Sequence, residues 1–188
     1  MNIHAHKPLP PMTAEEFLIW GEAQTEGRYE LVDGQVIAMA PERSQHAVLK
    51  GAAYRVLYNA IKAAGLPCKV YPDGMTVITN KNRAREPDAA VQCGPQPHPH
   101  SLQLDAPVIV VEVLSPSTRR SDAIAKLADY FSVPSVRHYL IVDPDPRSVT
   151  HHTRDDAGVM TEVTITSGAI DFAPPGFSIL CEDLFADI

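Results

Sequence analysis

The stretch Val108-Ile109-Val110-Val111-Glu112-Val113-Leu114 decides which fold the sequence predicts. Its run of β-branched residues predicts a strand that is buried on both faces of a sheet. A carboxylate inside such a strand is costly unless it is paired, hydrogen-bonded or bound to a metal ion. We therefore expect Glu112 to be a functional group on a central strand. The alternative is a position for Glu112 at the solvent-exposed rim of the sheet.

Helices and further strands are predicted on both sides of this central strand. Before it, the elements are a helix from Thr13 to Trp20 with a Thr13/Glu16 capping box, a hairpin over Arg28–Met39 around Asp33-Gly34, a helix capped by Ser44 and ended by Gly65 and Pro67, and strands at 69–71, 75–79 and 87–93. After it, they are a helix from Ser121 to Pro134, a strand at His138–Asp143, and a tail (Arg147–Ile188) with a hairpin around 156–158 and a short strand near Phe177. This order predicts an α/β (α+β) fold with a mixed β-sheet flanked by helices.

Length and composition limit the classes of protein to consider. A chain of 188 residues is expected to form one domain, with a core over about 12–146 and a C-terminal β-hairpin extension over 147–188. The net charge of −7 disfavours binding of nucleic acid by bulk positive charge. Three widely spaced cysteines predict no disulfide framework and favour a reducing cytoplasm, and no apolar run is long enough to span a membrane.

Two acidic residues are candidates for a metal site. Asp88 follows Glu86-Pro87 and precedes an apolar strand, and Glu112 lies in the central strand. Adjacent strands would bring Asp88 and Glu112 close enough to share one divalent cation, and oxygen ligands of this kind suit Mg²⁺ or Mn²⁺. The alternative for Asp88 is a structural role in a turn or a helix cap.

Phosphodiester chemistry at such a site would also use a cation. The position two residues after Glu112 on the same face is Leu114, which carries no charge. Lys126, on the following helix, is the nearest downstream candidate. The alternative is an ordinary surface ion pair between Lys126 and Asp122, four residues earlier.

These residues belong to motifs that resemble the Uma-type family of bacterial restriction endonucleases, within the PD-(D/E)XK nuclease superfamily. The motifs are Tyr29-Glu30-Leu31-Val32-Asp33-Gly34, Glu86-Pro87-Asp88, Val111-Glu112-Val113-Leu114-Ser115-Pro116-Ser117-Thr118, Ser121-Asp122 with Lys126 and Tyr130, and His138-Tyr139-Leu140-Ile141-Val142-Asp143-Pro144. The resemblance implies a restriction endonuclease-like core and metal-dependent cleavage of double-stranded DNA. It implies that Asp88 and Glu112 are the acidic residues of the PD and (D/E)XK elements. Leu114 departs from the expected lysine, and the resemblance assigns that role to Lys126.

Further polar residues are candidates for the same site. Glu30 could turn its carboxylate toward it from the hairpin, and His46 could meet a phosphate at the start of the long helix. The alternatives are that Glu30 is a solvated hairpin residue and that His46 is a surface histidine.

Two cationic clusters are candidates for contacts with DNA, although each could be a solvated loop. They consist of Lys81, Arg83 and Arg85, and of Arg119 and Arg120.

Two other kinds of function remain open at the level of sequence. A nuclease-like fold could act as a nucleic-acid-binding or assembly module with little catalysis. A zinc site could use Cys93, His98 and His100 with His151 or His152, although this spacing is not a standard structural zinc pattern. By analogy with nucleases that cut both strands, a homodimer is one assembly that the chain could form, although the sequence does not encode the oligomeric state legibly.

Overall fold

A computed structural model describes residues 9–115 and 120–188, so the predicted contacts of Arg119 and of the Arg120 side chain lie outside the described part. The helices are α1 (Ala14–Glu22), α2 (Ser44–Ala63) and α3 (Arg120–Ser132), followed by a 3₁₀ turn (Cys181–Phe185). The strands are β1 (Tyr29–Val32), β2 (Gln35–Ala38), β3 (Cys68–Pro72), β4 (Val77–Asn80), β5 (Arg83–Arg85), β6 (Ala89–Cys93), β7 (Pro107–Val113), β8 (His138–Asp143), β9 (Ser148–Arg154), β10 (Met160–Ile165), β11 (Ala169–Phe172) and β12 (Phe177–Leu180). Within these ranges no helix combines the length and apolarity needed to cross a bilayer.

The central sheet has six strands in the order β10-β9-β8-β7-β6-β3. Strands β7 and β8 are parallel and are joined through α3, whereas the other neighbours pair antiparallel. The predicted central strand is β7, and Ile109 and Val110 on its opposite faces are fully buried. The β-branched run therefore lies where burial on both faces requires it.

Two apolar clusters cover the two faces of this sheet. Leu49, Leu57 and Ile61 of α2 pack with one set of sheet residues, and α3 covers the other face through Tyr130 and its neighbours. The start of α2 differs slightly from the prediction, because Ser44 is its first residue and Arg43 is the N-cap, without a side-chain hydrogen bond.

A smaller sheet, in the order β2-β1-β5-β4, packs against α1. The predicted capping box is present: the Glu16 amide donates to the Thr13 hydroxyl, and the Thr13 amide donates to the Glu16 carboxylate. The predicted hairpin is β1–β2, and Asp33 in its turn has a φ of 51°, a left-handed conformation that Asp tolerates. This sheet brings Glu30 on β1 toward the central sheet.

The C-terminal residues contribute to the main structure. Strands β9 and β10 form the predicted hairpin and extend the central sheet. The β11–β12 pair and the 3₁₀ turn join the apolar cluster on the α2 side, where Ile170, Phe172 and Leu184 are buried. Strand β11 was not predicted from the sequence.

The expectation that no disulfide forms is wrong. Cys68 and Cys93 are bonded, and Cys181 is buried and free. The bond arises because β3 and β6 pair in a register that sets Cys68 directly opposite Cys93, with a Cα–Cα distance of 4.0 Å. A separation of 25 residues in sequence does not reveal this register. The disulfide also removes Cys93 as a ligand for the zinc site considered above.

Candidate active site

Asp88 and Glu112 approach one another across the β6–β7 pair. The Asp88 amide donates to the Val111 carbonyl at 3.0 Å, and the Val113 amide donates to Asp88 Oδ2 at 2.7 Å. Each of the two acidic residues is 5% exposed, and both line one cavity of about 350 Å³. The interpretation of Glu112 as a rim residue is therefore wrong, and Asp88 both fixes the strand end and faces the cavity.

The Glu112 carboxylate is held by two side chains of α3. Lys126 Nζ lies 3.1 Å from Oε1 and 3.2 Å from Oε2, and the Tyr130 hydroxyl donates to Oε1 at 2.6 Å. Burial raises the pKa of Glu112, the charge of Lys126 opposes this shift, and the nearby charge of Asp88 adds to it. The carboxylate thus lies in a setting that favours a closely placed cation.

Lys126 is buried rather than exposed on the helix surface. Its ammonium group also lies 2.9 Å from Glu30 Oε1. Burial lowers the pKa of Lys126, but the charges of Glu112 and Glu30 outweigh this effect and raise it overall. The structure therefore brings together Lys126, Glu112 and Glu30, and the reading of Lys126 as an ordinary surface residue is wrong.

Arg85 has a different environment from the predicted one. It is 5% exposed and binds Glu30 Oε2 at 2.9 Å through Nη1 and Asp129 Oδ2 at 2.8 Å through Nε. Arg83 binds Asp33 and Asp129, while Lys81 is exposed. Arg85 accordingly supports the buried carboxylates instead of presenting a free cation to DNA.

His46 connects α2 to the carboxylates. Its Nε2 lies 2.9 Å from the Val113 carbonyl oxygen and 3.4 Å from Asp88 Oδ2, and its Nδ1 lies 2.8 Å from Glu42 Oε1. Because these oxygens only accept hydrogen bonds, both ring nitrogens carry a proton. Burial lowers the pKa of His46, but the hydrogen bonds and charge of Asp88, with Glu42, raise it to about 9. His46 lines the cavity as an imidazolium ion.

Lys50 is a second buried lysine near the site and was not predicted from the sequence. Its Nζ pairs with Glu42 and with Asp73 Oδ2 at 2.5 Å, and it lies 3.9 Å from Asp88 Oδ1. Asp73 also accepts from Arg28 at 2.7 Å. The spacing of four residues between His46 and Lys50, which places both on one helix face, was the available signal.

The donor set of Asp88 and Glu112 fits a hard divalent cation. Mg²⁺ in proteins is commonly bound by one or two carboxylates and completed by water and substrate phosphate. Among the side chains that the structure describes, those of residues 9–115 and 123–188, no group of three His, Cys, Asp or Glu converges as a metal site. The pair therefore fits a cation whose remaining ligands are water and substrate. It does not fit a structural metal site in which protein side chains supply every ligand.

The sheet with its parallel crossover, and the cavity between two buried acidic residues, define a mixed α+β protein of the restriction endonuclease-like class. A sequence profile of Uma2, described as "Putative restriction endonuclease", matches residues 14–180, and the chain belongs to this family. It is 30% identical over 152 residues to "Uncharacterized protein slr1290" of Synechocystis sp., a match covering 80% of this chain and 78% of that protein.

A solved structure has the same fold. It is titled "Crystal structure of a putative nuclease belonging to DUF820 from Anabaena variabilis", and it superposes with a TM-score of 0.73 at 17% identity. The match covers 94% of this chain and 98% of that one. The family profile matches through residue 180, the last residue of β12, so β9–β12 lie within the matched region.

Proposed function

We propose that the protein is a Mg²⁺- or Mn²⁺-dependent endonuclease that hydrolyses phosphodiester bonds of double-stranded DNA. One observation carries the proposal: Glu112, buried in β7, lines a cavity with Asp88 while a buried lysine contacts its carboxylate. Family membership and the shared fold support the nuclease class. The metal, the substrate and the roles of individual residues are inferred from the chemistry of these side chains.

Asp88 and Glu112 would hold the cation. A metal ion bound there would polarise the phosphodiester, help ionise the attacking water and stabilise the leaving oxygen. Lys126 would neutralise charge on the phosphate or position the water, since it lines the same cavity. Glu30 would hold Lys126 in place through its 2.9 Å contact.

His46 would supply a second positive group at the phosphate. Its imidazolium faces the cavity from the first turn of α2. A protonated ring can donate to a phosphate oxygen or to the departing oxygen. Arg43, the exposed N-cap residue of α2, lines the cavity as well and adds a cation where the DNA backbone would enter.

Cleavage of supercoiled plasmid tests this proposal. Wild-type protein with Mg²⁺ or Mn²⁺ is expected to nick and linearise DNA, and Asp88→Asn and Glu112→Gln are expected to abolish cleavage. Glu162→Gln, which changes an exposed carboxylate on β10, is the matched control and should cleave like wild type. Equal cleavage by all variants would identify a contaminating nuclease and overturn the assignment of the site.

A binding or assembly module is the second candidate. The observation that favours it is the mutual pairing of the buried charges: Glu112 is already matched by Lys126, and Asp88 by His46. Titration calorimetry with Mn²⁺ separates the two functions. Mn²⁺ binding that is lost in Asp88→Asn supports the nuclease, whereas tight DNA binding without metal binding supports the module.

A homodimer would place one cavity at each DNA strand, and light scattering would detect the dimer.

A further inference from the structure

We propose that Arg85 and Asp129 are positioning residues that hold Glu30, and that Glu30 in turn keeps the ammonium group of Lys126 beside Glu112. This inference rests on the proposed function, because it explains how the residues of that site are held together. It assigns a role to Asp129, which the sequence motifs do not mark. It also gives Arg85 a role other than contact with DNA.

The contacts form one chain of alternating charge. Arg85 bonds to the two carboxylates on either side of it, through Nη1 to Glu30 Oε2 at 2.9 Å and through Nη2 to Asp129 Oδ2 at 2.7 Å. The other oxygen of Glu30 lies 2.9 Å from Lys126 Nζ, which reaches Glu112 at 3.1 Å. All five side chains are buried, with the most exposed, Glu30, at 8%.

The same contacts join two separate parts of the fold. Glu30 lies on β1 and Arg85 on β5, neighbouring strands of the small sheet. Lys126 and Asp129 lie on α3, three residues apart and therefore on one face of the helix. Arg85 thus fixes the small sheet to the helix that carries Lys126, and the position of Glu30 relative to Lys126 depends on this link.

Stability alone is a weak reason for such a network. Burying charged groups carries a large desolvation cost, and well-packed apolar residues of similar volume often stabilise a protein as well or better. A planar guanidinium bonded to two carboxylates does, however, fix their separation, which a lysine cannot do. The geometric constraint on Glu30 is what the arginine contributes.

The position of Lys126 follows from this constraint. Its ammonium group is shared between Glu30 and Glu112. Without Arg85, the charge of Glu30 would be less compensated and its carboxylate less fixed, so that Lys126 would move toward Glu30 and away from Glu112. Misplacement of a catalytic group by about 1 Å can cost on the order of 100-fold in rate.

Lysine-ammonium NMR tests the proposal without reference to activity. The Lys126 signal is assigned by its loss in Lys126→Arg. Arg85→Gln, Asp129→Asn and Glu30→Gln are each expected to shift or broaden it. The matched control is Arg154→Gln, which removes an arginine that binds four carbonyls at the end of α3 without touching Glu30. It should lower stability and leave the Lys126 signal unchanged. An unchanged signal in Arg85→Gln would overturn the proposal.

Kinetics supply the second readout. We expect Arg85→Gln to lower kcat about tenfold or more, with KM for DNA changed by less than about threefold. In a Glu30→Gln background, Arg85→Gln should lower kcat further by less than about twofold. Effects of Arg85→Gln that multiply with those of Glu30→Gln would show that Arg85 acts independently of Glu30. Arg85→Lys replaces Arg85→Gln if that variant does not fold. Absence of cleavage by wild type would count against the proposed function, while the NMR result would still decide the positioning role.

Discussion

The ammonium nitrogen of Lys126 lies 3.1 Å from Oε1 and 3.2 Å from Oε2 of Glu112, so the lysine faces both oxygens of a carboxylate on a different element. Lys126 comes from α3, whereas Leu114, two residues after Glu112, is 8% exposed in the apolar cluster beneath that helix. Leu114 thus packs in the apolar cluster under α3, and α3 itself supplies the lysine that contacts Glu112.

Removing this lysine should destabilise the protein in a pH-dependent way. Lys126→Met leaves Glu112 and Glu30 buried without their shared cation, a loss typically of about 3–5 kcal/mol when one partner of a buried pair is removed. Burial already raises the pKa of Glu112 in wild type, and loss of Lys126 should raise it further. A carboxyl with a raised pKa loses its stabilising contribution as pH rises. Urea unfolding should therefore show a larger loss at pH 8 than at pH 5.

Two variants are controls for this prediction. Lys62→Met removes an exposed lysine on α2 and should change stability by less than about 0.5 kcal/mol. Glu112→Gln combined with Lys126→Met should recover part of the lost stability, because the uncompensated charge is gone. A double variant less stable than Lys126→Met would contradict the explanation.

The Tyr130 hydroxyl should matter more to the site than to the fold. Tyr130→Phe removes the 2.6 Å hydrogen bond to Glu112 and should cost about 1–3 kcal/mol in the free energy of unfolding. It should also lower DNA cleavage severalfold, because Glu112 loses one of the groups that orient it. Tyr139→Phe is the matched control: its hydroxyl donates to the Ala123 carbonyl at 3.0 Å in the same cluster. Equal effects of both variants on cleavage would exclude a specific role for Tyr130.

The sequence predicts the fold best where burial imposes a pattern. The apolar run of β7, the capping box of α1 and the spacing of apolar residues in α2 each follow from local rules, and each element is present. Strand β5 was missed because its three residues are Arg-Ala-Arg, a composition typical of a loop. The buried charge of Arg85 is tolerated because its guanidinium binds the carboxylates of Glu30 and Asp129, which are distant from it in sequence.

The same limit applies to the site. Glu112 could be singled out because a carboxylate in a β-branched run is conspicuous, and Lys126 because the family motifs contain it. The contacts of Arg85 with Asp129 and Glu30 could not be predicted, since these partners lie 44 and 55 residues from Arg85 and meet it only through packing of the small sheet on α3. Charge pairing across elements depends on tertiary geometry that local sequence patterns do not encode.

Reduction of the disulfide should lower stability without unfolding the protein. A bridge across a loop of this length contributes roughly 3 kcal/mol by restricting the unfolded chain. Urea unfolding in reducing buffer, or of Cys68→Ala/Cys93→Ala, should show a loss of this size. Cys181→Ala, at the buried free cysteine, should show the same difference in stability between oxidised and reduced protein as wild type. Three reactive thiols in the unfolded, unreduced protein would contradict the prediction.

Stability should also fall in mild acid because of two stacked histidines, one on β8 and one on β9 of the central sheet. His138 Nε2 donates to the Pro174 carbonyl at 2.6 Å, and in the neutral His138 ring Nδ1 then accepts from His151 Nε2 at 2.9 Å. Burial, with the nearby charges of His138 and His152, lowers the pKa of His151 to about 4, and burial also lowers the pKa of His138. The histidines of the unfolded chain therefore bind protons at a higher pH than those of the folded protein. Stability is lost as pH falls from about 6.5 toward about 4, by roughly 3 kcal/mol for His151.

Urea unfolding between pH 7 and pH 4 should show this loss of stability. His151→Leu should make stability depend less on pH, and His100→Gln, at an exposed histidine, should leave the pH dependence unchanged. An equal slope in His151→Leu and wild type would assign the acid sensitivity to carboxylates instead.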